Sequence, residues 1–112
     1  MKRFTTCMLA LASFVHIAPA AAQAPNVGRD LSAACFTCHG TNGNSVGGVP
    51  PSLAGRSSAE LFSILKDFQS GKRPSTIMGQ QAKGYTDEQL KLITSYLATL
   101  KPATAPTPPK PN

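Results

Sequence analysis

The chain has 112 residues, a formal net charge of +6 and no tryptophan, which allows one domain but only a marginal core unless a staple or cofactor supplements it. Its 11 Lys and Arg include no long basic run, so the positive balance points to an acidic protein partner and argues against nucleic acid.

In chain order, residues 1–22 read as a cleaved secretory signal. Met1-Lys2-Arg3 gives a positive start, Phe4 to Ala18 is mostly apolar, and Ala20-Ala21-Ala22 supplies small residues for cleavage. A retained membrane anchor is the alternative, and its apolar stretch is short and interrupted by His16 and Pro19. Cys7 lies inside this segment and leaves with it. The expectation is an exported, periplasmic protein with no stable membrane insertion. Its remaining 90 residues hold two cysteines, one histidine (His39) and one methionine (Met78), with nine Lys/Arg against five Asp/Glu.

Gly28 to Cys38 carries Leu31, Ala34, Cys35 and Cys38 at spacings of three and four, which predicts a short helix with the cysteines on its last turn. "GTNGNSVGGVPPSLAG", residues 40–55, is too rich in Gly, Asn and Pro for a helix and reads as a loop. Ser57 and Glu60 form an S-x-x-E capping box that opens a second helix. Leu61, Ile64, Leu65 and Phe68 make its inner face, and Gly71 stops it. Residues 71–85, "GKRPSTIMGQQAKGY", read as a second long loop. Thr86 and Gln89 form another capping box, before a helix whose inner face is Leu90, Ile93, Tyr96, Leu97 and Leu100. Pro102 ends that helix, and 102–112, with five prolines, predicts an extended mobile tail. The domain is therefore drawn at 23–101, all-α, with no strand.

"CFTCHG" carries the chemistry. In an exported chain, C-x-x-C-H is the attachment signature for c-type haem. Two thiols add to the vinyl groups on one porphyrin edge, and the adjacent imidazole of His39 reaches the iron from beneath. The same haem would fill the missing core. A thioredoxin-type redox pair wants a βαβ context that is absent, and a structural zinc site wants four ligands where only three Cys/His side chains exist. A plain disulfide leaves His39 unexplained.

For the sixth iron position, no second histidine remains after the signal, so Met78 is the soft donor on offer; His/Met ligation raises the reduction potential and suits one-electron transfer. The competing reading packs Met78 against the core and leaves that position open to a gas or peroxide. Gly79 lets the loop backbone approach the ring closely. For the second ring nitrogen of His39, the carbonyl of Pro51 is the candidate acceptor. Leu53 is a candidate for packing on the ring, and Arg56 is either a propionate partner or a solvated surface residue. Lys66, Lys72, Arg73 and Lys83 are candidate docking cations.

With "CFTCHG", "PSLAG", a central helix, a lone methionine loop and a terminal helix bearing Tyr96, residues 27 to 100 resemble the class I cytochromes c of bacteria. "GKRPSTIMGQQAKGYTDEQL", with the preceding "LAGRSSAELFSILKDFQSG", is similar to the one-haem cytochrome subunit of flavocytochrome c sulfide dehydrogenases, departing from it at Gln80-Gln81 and in the proline-rich tail. The resemblance implies a class I cytochrome c fold, about three main helices and long loops wrapped around one covalent haem. It implies thioethers at Cys35 and Cys38, His39 as proximal and Met78 as distal ligand, Pro51 as the carbonyl partner of His39, and Leu31 packed on Tyr96. It also implies a flavoprotein partner that carries FAD, oxidises sulfide and passes electrons singly through this haem to another cytochrome. No catalytic acid, base or nucleophile pattern stands out, so the chain is not expected to be catalytic alone. A free-standing electron shuttle and a haem-based ligand sensor or small peroxidase remain as alternatives.

Overall fold

A computed structural model describes residues 26–104. The signal segment 1–22 and the tail from residue 105 onward lie outside the described residues. Within them the fold is all-helical: α1 (Val27–His39), a single 3-10 turn (Thr41–Gly43), α2 (Ser58–Ser70), α3 (Met78–Lys83) and α4 (Asp87–Thr99).

Local chemistry sets the ends of these helices. Asn26 caps α1, its side-chain oxygen accepting from the Arg29 N–H at 3.0 Å, and Gly40 ends it at a φ of 83°. Any Cβ at Gly40 would lie 2.0 Å from the Asn44 carbonyl oxygen, so only glycine permits this turn directly after His39. Thr86 and Gln89 complete the predicted reciprocal capping box of α4. The predicted box at α2 is half made. Ser57 accepts from the Glu60 N–H, but the Glu60 carboxylate turns back to the guanidinium of Arg56. Gly71 closes α2 in the left-handed conformation.

α1 and α4 cross in near-backbone contact. A Cβ on Gly28 would stand 2.5 Å from the Leu92 carbonyl oxygen and 3.1 Å from the Tyr96 Cβ. Gly28 meets Tyr96 at this crossing, and Leu31 packs against the core cluster. That cluster is small: Leu61, Leu90, Ile93 and Leu97 are its buried members. Of the predicted inner face of α2, only Leu61 is buried; Ile64, Leu65 and Phe68 are half-buried, and all four line a cavity. Buried Thr94, a polar residue on the same helical stripe as Leu90, Ile93 and Leu97, accepts from the Ser58 hydroxyl at 3.1 Å and joins α4 to the start of α2.

The second predicted loop departs from expectation, because its residues 78–83 form the six-residue α3. Its six-residue length, with Gly79 inside it, makes this helix unstable by itself. Tertiary contacts hold it: Ala82 is buried, the Gly79 N–H donates to the Ser75 hydroxyl at 2.8 Å, and Gln69 of α2 donates to the Ala82 carbonyl. The first residues of the predicted tail are also held. Asn44 donates to the Lys101 carbonyl at 3.1 Å and accepts from the Ala103 N–H at 2.6 Å.

Candidate functional site

The four helices and the loop between α1 and α2 enclose a cavity of about 440 Å³, within the range of roughly 300–1,000 Å³ common for cofactor sites. Its walls are mostly apolar side chains from α2 and α4, among them Leu61, Leu65, Leu90 and Ile93. All seven residues singled out from sequence reach it. Cys35, Cys38 and His39 come from the last turns of α1, Pro51, Leu53 and Arg56 from the loop, and Met78 from the start of α3.

His39 is buried, and its Nδ1 lies 2.6 Å from the Pro51 carbonyl oxygen. A carbonyl only accepts, so Nδ1 carries the proton and donates it, and Nε2 keeps its lone pair as a donor atom for a metal. Backbone bonds hold the acceptor in position. The Gly43 carbonyl accepts from Leu53 N–H at 2.8 Å and Ala54 N–H at 3.1 Å, and Ser45 N–H donates to the Ser52 hydroxyl at 2.9 Å. The turn at Gly40 brings this loop back beneath the imidazole.

Cys35 and Cys38 are free thiols. Cys35 is half-buried against the core cluster, and that burial raises its thiol pKa, partly offset by a backbone hydrogen bond. Tyr85, which the sequence did not single out as a site residue, is a wall of the same cavity, its phenol pKa raised by burial and next by the nearby Cys35 sulfur. Arg56 lines the cavity while pairing with Glu60 one turn into α2.

The four predicted docking cations differ. Lys66 is engaged with Asp87 at 2.6 Å and Lys72 with Asp67 at 3.4 Å. Among the described residues neither Arg73 nor Lys83 makes an ion pair, and both line a second, shallower hollow of about 290 Å³ beside Gly79. Phe68 supports the Arg73 guanidinium, which lies 5.6 Å from its ring centre. Gln69, which fastens α3, carried no sequence signal: its partners are backbone carbonyls 13 and 16 residues away.

Two free thiols one helical turn apart, an imidazole with an available Nε2 and an apolar cavity with a thioether on its wall are the donor set of a covalently attached haem. Fold and site together define a c-type cytochrome. Residues 26–101 match the family model described as Cytochrome c, and the chain belongs to that family of haem-bearing electron-transfer proteins. It is 48% identical over 73 residues to the cytochrome subunit of sulfide dehydrogenase of Chlorobaculum tepidum, an alignment covering 65% of this chain and 66% of that protein. Cytochrome c-554(548) of Halomonas halodenitrificans is 32% identical over 75 residues, covering 64% and 90% respectively. Among solved structures, cytochrome c4 of Acidithiobacillus ferrooxidans superimposes with a TM-score of 0.56 at 40% identity, over 60% of this chain and 38% of that one. The chain therefore spans just under two thirds of the sulfide dehydrogenase subunit and well under half of the cytochrome c4 chain.

Proposed function

We propose that this protein is a periplasmic one-electron carrier that receives electrons from a sulfide-oxidising flavoprotein subunit and passes them to another cytochrome. The observation that carries the reading is the convergence of Cys35, Cys38, His39 and Met78 on one apolar cavity, with His39 Nδ1 committed to Pro51. When bound, haem supplies a metal centre that cycles between ferrous and ferric states.

Everything else is the work of the chain. Cys35 and Cys38 would hold the group covalently, their thiols adding to its vinyl groups to give thioethers. His39 would hold the iron through Nε2, and the Pro51 bond restrains rotation of the ring and raises its basicity. Met78 would hold the iron through its thioether, a soft donor that favours the reduced state and a higher potential. Leu53 and the side chains of α2 exclude water. Glu60 engages one guanidinium nitrogen of Arg56, and the remaining N–H groups are free to meet a haem carboxylate. Ligands mounted on helices and a tied loop rearrange little between oxidation states.

Support for the partner is the 48% identity to the sulfide dehydrogenase cytochrome subunit. The basic surface beside the distal segment is complementary to an acidic face, with Arg73 and Lys83 the cations available to it. Export is supported by the signal-like N-terminus, and among the described residues no helix is long and apolar enough to cross a membrane. The test is gentle purification from the periplasm followed by anaerobic sulfide. Flavin absorbance that travels with the haem, and haem reduction by sulfide, are the expected results. A haem protein that purifies alone and reacts with sulfide no faster than an unrelated cytochrome would make it a free-standing shuttle.

A further inference from the structure

α3, the helix that begins with Met78, is only six residues long; its N-cap residue Ile77 offers no side-chain acceptor, and the Ser75 hydroxyl takes the Gly79 N–H. A helix of that length does not persist on its own hydrogen bonds, so its placement is imposed from outside. The half-buried side chain of Gln69, near the end of α2, does this. Its amide NH2 donates to the Ala82 carbonyl at 2.8 Å and the Tyr85 carbonyl at 3.0 Å, spanning the end of α3 and the link into α4. Helix ends leave such carbonyls short of donors, so one side chain fastens the segment at two points.

The amide's orientation is set by a third group. Lys66, one turn earlier on α2, donates from Nζ to Gln69 Oε1 at 2.8 Å and to Asp87 Oδ1 at 2.6 Å. An ammonium has donors and no acceptor, so it selects the oxygen end of the amide and turns both N–H groups toward α3. Asp87 lies in the first turn of α4, so the network Asp87–Lys66–Gln69 ties α2, α3 and α4 around one point.

We infer that Gln69 is a positioning residue for Met78, with Lys66 setting the direction of its amide. The inference rests on the axial role proposed for Met78. Gln69 does not line the cavity; it holds the helix whose first residue carries the thioether. It also makes Lys66 an internal strut more than a docking cation.

The test uses the haem-loaded full chain and reads three quantities: amide hydrogen exchange in α3, the reduction potential, and the thioether-to-ferric-iron charge-transfer band. Gln69→Glu keeps the shape and the contact with Lys66 but has no N–H to donate at neutral pH. It is expected to speed exchange across α3 about tenfold, the order expected from loss of a buried hydrogen-bonded clamp. Potential and band intensity are expected to fall with it. Lys66→Met is expected to move all three in the same direction by less, and Lys66→Arg to restore them. Wild-type exchange and potential in both Gln69→Glu and Lys66→Met would overturn the inference. Should Gln69→Glu fail to assemble with haem, Lys66→Met and Lys66→Arg decide it alone. A wild-type protein without the band would refute Met78 ligation instead, and the exchange data would then still judge Gln69 as the clamp of α3.

Discussion

Replacing Gly28 by alanine sets two opposed effects against each other. In an isolated helix the change would help, since glycine in a helix interior costs about 1 kcal/mol relative to alanine. Here the new methyl would stand 2.5 Å from the Leu92 carbonyl oxygen and 3.1 Å from the Tyr96 Cβ. The closest obstacle is backbone, so no side-chain rotation relieves it. α1 and α4 must separate by roughly an ångström to restore ordinary contact, at an overpacking cost of about 1–3 kcal/mol. Part of the propensity gain offsets that cost, because Gly28 lies in the first turn of α1, leaving about 1–2 kcal/mol of net destabilisation. For a domain of this size each kcal/mol corresponds to about 4–8 °C in Tm. Thermal unfolding of the haem-loaded protein, followed by far-ultraviolet circular dichroism, measures it. A Tm equal to or above wild type would show that propensity wins and that the crossing is not as tight as described.

Three further outcomes follow from the structure. Thr86→Ala removes one arm of the completed capping box on α4 and is expected to cost about 1 kcal/mol in denaturant unfolding, and an unchanged midpoint would contradict the cap. Arg73→Gln with Lys83→Gln is expected to flatten the salt dependence of electron exchange with an acidic partner more than Lys66→Gln with Lys72→Gln, whose cations are already paired. The opposite ranking would place docking elsewhere. The Tyr85 phenol has a pKa raised above its ordinary value of 10.0, first by burial. A raised folded-state pKa gives stability that is complete below the unfolded value and is lost as pH climbs from there through the folded value. Tyr85→Phe is therefore expected to lessen the alkaline loss of stability above about pH 10, and an equally steep loss would refute it.

How much of this could be read in advance depended on whether a feature was local or carried by a resemblance. The Pro51 carbonyl that the imidazole meets lies 12 residues on, and it was reached through the Pro-rich "VPPSLAG" loop and the resemblance to class I cytochromes c rather than through a local pattern. The Thr86 box is local, since both partners lie within one turn. At Ser57 the same pattern was read, yet Glu60 had a stronger attraction one residue before the cap, the Arg56 guanidinium, and only half the box formed. α3 was read as loop because Gly71, Pro74, Gly79 and Gly84 punctuate its stretch, leaving only a short run, and its support comes from Gln69, on another helix. Gly28 and Asn44 were opaque for a related reason: one is needed for a close crossing with Leu92 and the other for backbone groups at Lys101 and Ala103, distant contacts that no periodicity encodes.

The central claim is that His39 and Met78 grip one haem held by Cys35 and Cys38, making a closed centre for electron transfer. The most direct measurement is the absorption and electron paramagnetic resonance spectrum of the oxidised protein beside its Met78→Ala variant, each before and after cyanide. A low-spin wild type with the thioether charge-transfer band and slow cyanide binding, turning high-spin and fast-binding in the variant, is the result expected. A wild type already high-spin, binding cyanide as readily as the variant, would contradict the claim and make the site an open one for a gas or peroxide.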